Sequence, residues 1–294
     1  MALPTISVIN FTELNDGDVQ RAVRAINRQI AEDFAPVWGA NWELLLHASA
    51  ANPADPDSLE EEPVRGEGVL YLIDESTLPG ALGFHDLNTA EIPFGFVFLL
   101  NQDDWTVTLS HEALEMIVDP TANVLVPGPD PRDPNGPNVV LHAYEVCDAV
   151  ERTSYAVDHI RVSNFITPSW FFEGDAPGTR NDFLGVGVGS FGATPGSHLA
   201  FLDLQEGWQV ILGQDDAAQK AELAPAQRQR LAHHSHERKR PDEIKVNKVL
   251  QEYKLHPVKR LAGRPQGGLP HVHGLTRSSR KEAVAMKLLR RKGT

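Results

Sequence analysis

His111 and Glu115 stand four residues apart in SHEALEMIVDP (110–120), a segment whose other residues are mostly apolar. On a helix, residues at i and i+4 lie on one face about one turn apart. One imidazole nitrogen and one carboxylate oxygen can then reach a single ion, as the two histidines of HExxH do. Both donor types suit zinc at about 2.0–2.2 Å. Glu112 follows His111 directly, where HExxH enzymes keep the carboxylate that takes a proton from the water at the metal. With Glu115 in place of the second histidine the motif is HExxE. A further anionic ligand lowers the effective charge on zinc and admits a harder ion, calcium or manganese.

Two ligands do not make a tight site, and the next candidates are Glu145, Asp148 and Glu151 in YEVCDAVE (144–151). Buried carboxylates without a cation repel one another, so an apolar helix carrying His111, Glu112 and Glu115 needs partners of this kind. Asp119, before Pro120 at the end of the helix, reads as a turn device. His85 and His142 read as structural histidines; either would enter the chemistry only by polarising a substrate carbonyl or an oxyanion. Cys147, the single cysteine, excludes an internal disulfide and reads as a small buried side chain between alternating strand residues.

The run Ser110, His111, Glu112, Glu115, Asp119, Pro120, then Glu145, Val146 and Asp148, resembles the HExxE…E[IV]xD pattern of the zincin-like metallopeptidase superfamily. The likeness is to uncharacterised bacterial zincin-like proteins and to plant phosphate-induced (EXORDIUM-like) proteins, over about 40 residues. It implies a metal site with His111, Glu115, Glu145 and Asp148 as ligands and Glu112 as the catalytic general base. It also implies a zincin-like fold, in which a sheet with an exposed edge strand packs on the helix that carries the motif. On that analogy PFGFVFLL (93–100) is the edge strand, open to an extended peptide.

The elements needed to position such a site are legible. ISVINF (6–11) reads as a strand. Residues 16–34 read as a helix with Val19, Val23, Ile26 and Ile30 on one face, capped by Asp16 or Asp18. WELLLHAS (42–49), GVLYLIDE (68–75), ALGFHDL (81–87) and PFGFVFLL read as strands, with a surface loop at 51–68. DWTVTLSHEALEMIVDP (104–120) is the second helix, capped by Asp103 or Asp104 and stopped by Pro120. A Pro/Asn/Asp-rich loop (119–138) follows, then VVLHAYEVC and YAVDHIRVSNFI as strands. GVGSFG (187–192) matches the dinucleotide-binding pattern in letters only, because Pro195 and Gly196 deny it the helix that must receive a phosphate.

The net charge of −13 divides unevenly along the chain. Residues 217–294 hold 19 basic against 6 acidic residues, a balance of +13, and 1–216 carry −26. This separates an acidic body (1–216) from a basic, His-rich extension (217–294), partly helical or disordered, with amphipathic stretches at 241–255 and 279–292. The extension suits an acidic protein surface or nucleic acid, although few aromatics are interleaved for base stacking. No stretch is long and apolar enough for a membrane span, and the first residues show no secretory signal. A soluble protein, cytoplasmic or particle-associated, is expected.

The expectation is therefore an α+β protein with a zincin-like mixed sheet packed on an active-site helix and a zinc-dependent hydrolase of peptide or protein substrates. One rival is a non-catalytic component of a phage or secretion-type assembly, stabilised by the same ion. The other is a nucleic-acid-associated protein acting through its basic tail.

Overall fold

A computed structural model describes residues 2–47, 66–74, 82–87, 92–99, 104–175 and 177–213. The surface loop at 51–65, the boundary near 216 and the whole basic extension lie outside the described residues. The described part is a mixed α+β fold.

Strands β1 (Thr5–Asn10), β2 (Glu43–His47), β3 (Gly68–Ile73), β4 (Gly83–Leu87) and β5 (Pro93–Phe98) form one sheet in the order β2-β1-β3-β5-β4. β2, β1, β3 and β5 run parallel to their neighbours; β4 pairs antiparallel with β5, Gly83 opposite Val97 and His85 opposite Gly95. Side chains alternate across a strand, and both faces of this sheet are apolar, as suits buried parallel strands. Ile6, Val8, Leu70, Leu72 and Val97 face one core, while Val69, Tyr71, Ile73, Phe84, Phe94, Phe96 and Phe98 form a separate, aromatic-rich cluster.

The edge-strand expectation needs correction. β5, in PFGFVFLL, lies inside the sheet between β3 and β4, and among the described residues β4 and β2 are its edge strands. An unbroken apolar run shows that a strand is buried on both faces but does not say which neighbour hydrogen-bonds to it.

Helix α1 (Asp16–Gln29) crosses from β1 to β2 and buries Val19, Val23 and Ile26 against the sheet. Its cap is neither Asp16 nor Asp18: the Asn15 side chain accepts from the Gly17 N–H at 2.7 Å. The helical path also outruns the expected end at 34, through a π turn (Ile30–Phe34) into α2 (Ala35–Trp38). The widened turn accommodates Pro36, which would otherwise clash with the preceding turn. Gly39, at φ 69°, ends the path in the left-handed conformation that glycine adopts without strain.

Helix α3 (Trp105–Val118) packs on the same face of the sheet, and every residue from Leu109 to Val118 is buried. Asp104 occupies its N-cap position without a capping hydrogen bond and instead pairs with Arg161. At the other end Asp119 closes the turn as expected, accepting from Thr121 Oγ1 at 3.0 Å and the Val124 N–H at 2.7 Å.

The second sheet contains β6 (Leu125–Pro129), β7 (Val139–Ala143), β10 (His198–Asp203) and β11 (Gly207–Leu212), all antiparallel, in the order β11-β10-β7-β6. β6 falls inside the expected loop at 119–138; its Pro127 and Pro129 are tolerated because it lies at the sheet's edge. β7 stops at Ala143, so Glu145 to Cys147 are not strand residues: they form a turn leading into a 3-10 turn, Asp148–Val150. Cys147 is wholly buried there. A hairpin of β8 (Ser154–Val157) and β9 (Ile160–Ser163) lies against α3, where Ser110 Oγ accepts from the Ser163 N–H at 2.6 Å. GVGSFG is a loop and turn, and no helix follows it among the described residues.

His142 stays outside the polar cluster described below. Its Nε2–H donates to the Pro129 carbonyl at 2.8 Å, and its ring lies 4.7 Å from that of Phe191. Burial pushes its pKa down to about 4 from 6.5. The folded state therefore holds His142 neutral while the unfolded chain protonates it, so its contribution is complete above pH 6.5 and is lost as pH falls towards 4. At about 1.4 kcal/mol per unit this amounts to roughly 3 kcal/mol. His142→Gln, which keeps a donor for Pro129, should flatten the denaturant-measured stability profile between those pH values. An unchanged slope would contradict the assignment.

Candidate metal centre

Four elements bring eight ionisable side chains together. α3 presents His111, Glu112 and Glu115; β4 presents His85; the turn after β7 presents Glu145, Asp148 and Glu151; β10 opens with His198. All are buried except Glu151, which is intermediate. Five carboxylates against three imidazoles in an apolar interior must balance their charge locally.

The tightest convergence is on His111. Its Nε2 lies 3.2 Å from Glu115 Oε2 and 3.3 Å from Asp148 Oδ1. Two ligands bound at about 2.0–2.2 Å to a tetrahedral ion would be about 3.3–3.6 Å apart, and both contacts meet at the same ring nitrogen. Donor atoms of this trio all lie within 4.8 Å of one another. The nitrogen and carboxylate donors, their spacing and their burial fit a divalent cation.

A second trio, His85, Glu115 and Glu145, shares Glu115 and meets the same 4.8 Å limit. Its contacts are wider: His85 Nδ1 is 3.8 Å from Glu115 Oε2 and His85 Nε2 is 3.9 Å from Glu145 Oε2. Glu115 is thus the hinge of the cluster, and its other oxygen, Oε1, accepts from the Cys147 N–H at 3.1 Å. Of the four ligands expected from the sequence, His111, Glu115 and Asp148 form one trio, while Glu145 meets Glu115 on the His85 side.

Glu112 lies between α3 and β4, with Oε2 3.3 Å from His85 Nδ1, the same nitrogen that lies 3.8 Å from Glu115 Oε2. Gly83, two residues earlier on β4 and on the same face, makes room for it. A Cβ there would stand 2.7 Å from Glu112 Oε1 and 2.9 Å from the Phe96 carbonyl. Gly83→Ala should therefore displace Glu112 and cost about 1–3 kcal/mol through overpacking. It should lower any turnover that needs Glu112 by about 10²-fold, with binding of any cation at His111 nearly unchanged. Wild-type turnover in a folded variant would show that Glu112 is not held by this contact.

The third trio, Asp148, Glu151 and His198, was not legible in full. His198 Nε2 is 3.2 Å from Asp148 Oδ2, and Nδ1 is 3.3 Å from Glu151 Oε1. Glu151 was among the sequence candidates, but His198 lies 47 residues further on, alone at a strand start, where no spacing marks it.

Electrostatics follow from these contacts. Burial alone would lower the pKa of His111, but the Glu115 charge and the Asp148 hydrogen bond outweigh it and hold it well above the usual value. Burial likewise works against the charged forms of Asp148 and His198. Their mutual attraction prevails, helped by His111 and Glu151, so Asp148 lies well below and His198 well above its ordinary range. Without a cation, protons on His111 and His198 offset part of the carboxylate charge. A cation binding at His111 must displace one of them.

No protein-family model matches the chain, and no curated protein matches it in sequence. Among solved structures, a chain described as "Structure of a chaperone-substrate complex" is similar at 14% identity and a TM-score of 0.27. The match covers 44% of this chain and 26% of that one, too slight to carry an argument about fold or partners. Among the described residues, no helix is long and apolar enough to cross a membrane.

Proposed function

We propose that the protein is a zinc-dependent metallohydrolase of the zincin-like type, acting on peptide bonds. The observation that supports it most is the convergence of Glu115 Oε2 and Asp148 Oδ1 on the single nitrogen His111 Nε2. His111, Glu115 and Asp148 would hold the cation, with Glu145 as a further donor beside Glu115. Zinc is the natural occupant of this donor set; calcium or manganese is admitted by its carboxylates. A bound divalent cation would supply Lewis acidity towards a carbonyl and make water nucleophilic at neutral pH.

The chain's own residues supply the rest. Glu112 accepts a proton from water and returns it to the departing amine, as a general base and then acid. His85 Nδ1, donating towards Glu112 Oε2, aims that carboxylate and leaves its other oxygen for the proton. The Cys147 N–H fixes Glu115, so the ligand does not swing with the substrate. β4, the edge strand beside Glu112, has no strand on its outer side among the described residues and offers backbone groups to an extended peptide.

A second reading, a structural ion in a non-catalytic assembly component, is favoured by the depth of Glu112, only 2% exposed. The test uses the full-length chain with its six tail histidines (233, 234, 236, 256, 271 and 273) replaced, so that only the body binds metal. Elemental analysis should find about one zinc per chain, and incubation with a denatured protein pool should generate new N-termini by mass spectrometry. A folded protein that stays metal-free defeats both readings; zinc without cleavage leaves the structural ion.

A further inference from the structure

The contacts of His198 differ in kind from those of His111. Both contacts of His111 converge on one nitrogen, as ligand atoms around an ion must. His198 instead uses its two opposite ring edges, Nε2 towards Asp148 Oδ2 at 3.2 Å and Nδ1 towards Glu151 Oε1 at 3.3 Å. One imidazole cannot offer both nitrogens to one ion, but a protonated ring can face two carboxylates, one at each edge. Asp148 is divided in the same sense, with Oδ1 facing His111 and Oδ2 facing His198.

We propose that His198 is a positioning residue for the metal centre: anchored by Glu151, it holds Asp148 so that Oδ1 faces the cation. This rests on the metal-site reading above and deepens it.

The backbone is built to hold the ring in place. Asp148 and Glu151 stand three residues apart around the 3-10 turn Asp148–Val150 and both face His198. The segment before His198 is stitched to that turn. The Thr194 N–H donates to the Ala149 carbonyl at 2.9 Å, and the Arg152 N–H donates to Ser197 Oγ at 3.3 Å. Ser197 and His198 are themselves wholly buried, at 0% and 1% exposure. The second sheet thereby supports the centre from two sides, β7 leading into the turn and β10 opening on the residue that orients its aspartate. Carboxylate ligands are commonly held this way, and losing such a support typically costs 10–100-fold in metal affinity.

The two ring nitrogens make the proposal separable from a packing role. In glutamine the side-chain amide nitrogen falls near the place of histidine Nε2; in asparagine it falls near Nδ1. His198→Gln therefore keeps the donor to Asp148, and His198→Asn keeps the donor to Glu151 only. Zinc affinity would be measured by competition with a chromogenic chelator, in the full-length chain lacking its tail histidines. His198→Ala and His198→Asn should bind zinc about 10–100-fold more weakly than the parent, and His198→Gln should recover most of the loss.

Equal affinities for Gln and Asn, or Ala at parent affinity, would overturn the proposal. So would a parent that binds two zinc ions with one lost in His198→Ala, since the trio would then be an ion site in its own right. A parent that binds no zinc at all defeats the metal-site reading itself, and so is told apart from each of these.

Discussion

Glu112→Gln should retain its zinc and lose turnover by about 10²–10⁴-fold, the usual contribution of a positioned proton-transfer group. The substitution is nearly isosteric. A glutamine oxygen still accepts from His85 Nδ1, now 3.3 Å from Glu112 Oε2, and the space opposite Gly83 is filled as before. What disappears is the capacity to take up a proton. Because Glu112 is not in any of the three metal-competent trios, zinc content and melting temperature should stay at parent values. Peptide cleavage by a zinc-loaded Glu112→Gln protein at the parent rate would remove Glu112 from the chemistry. Loss of zinc together with activity would place Glu112 among the ligands instead.

The second large effect is on stability. On the proposed function, removing the cation would leave the carboxylates facing protons on His111 and His198, whose neighbouring carboxylates offset the cost of their burial. A ligand that binds only the folded state stabilises it by about 4 kcal/mol when its free concentration is 1,000 times its dissociation constant. For a domain of this size each kcal/mol moves the melting temperature by about 2–4 °C, so a strong chelator should lower it by roughly 8–16 °C. His111→Ala should abolish that difference, because the convergence at Nε2 is gone. A melting curve that chelator leaves untouched in the parent would mean that the buried ion pairs stand without a cation.

How far the sequence disclosed this arrangement depends on whether the signal was local. α3 was legible because its motif, its apolar flanks and Pro120 all fall within one stretch. The core strands β3 and β5 were legible from unbroken apolar runs bounded by turn residues. Their order was not: β4 takes the edge because of which backbone it hydrogen-bonds, and that left His85 without a visible partner although it stands against Glu112. β6 was hidden by Pro127 and Pro129, residues that argue for a loop except at a sheet edge. The strand expected over VVLHAYEVC (139–147) includes Glu145 and stops short of Asp148, and continued by one residue it would point the two side chains to opposite faces. The turn at 144–147 brings both to Glu115 instead. His198 was the least legible of the eight, since nothing in HLAFLD relates it to a helix 80 residues earlier except the folded chain.

The proposed metal centre is tested most directly by anomalous diffraction at the zinc edge from crystals of the whole 294-residue chain grown with zinc. One peak should lie about 2.0–2.2 Å from both His111 Nε2 and Glu115 Oε2, with Asp148 Oδ1 in the same shell. Density for zinc only on surface or tail histidines, with His111 Nε2 still within hydrogen-bonding distance of Glu115 and Asp148, would contradict the account.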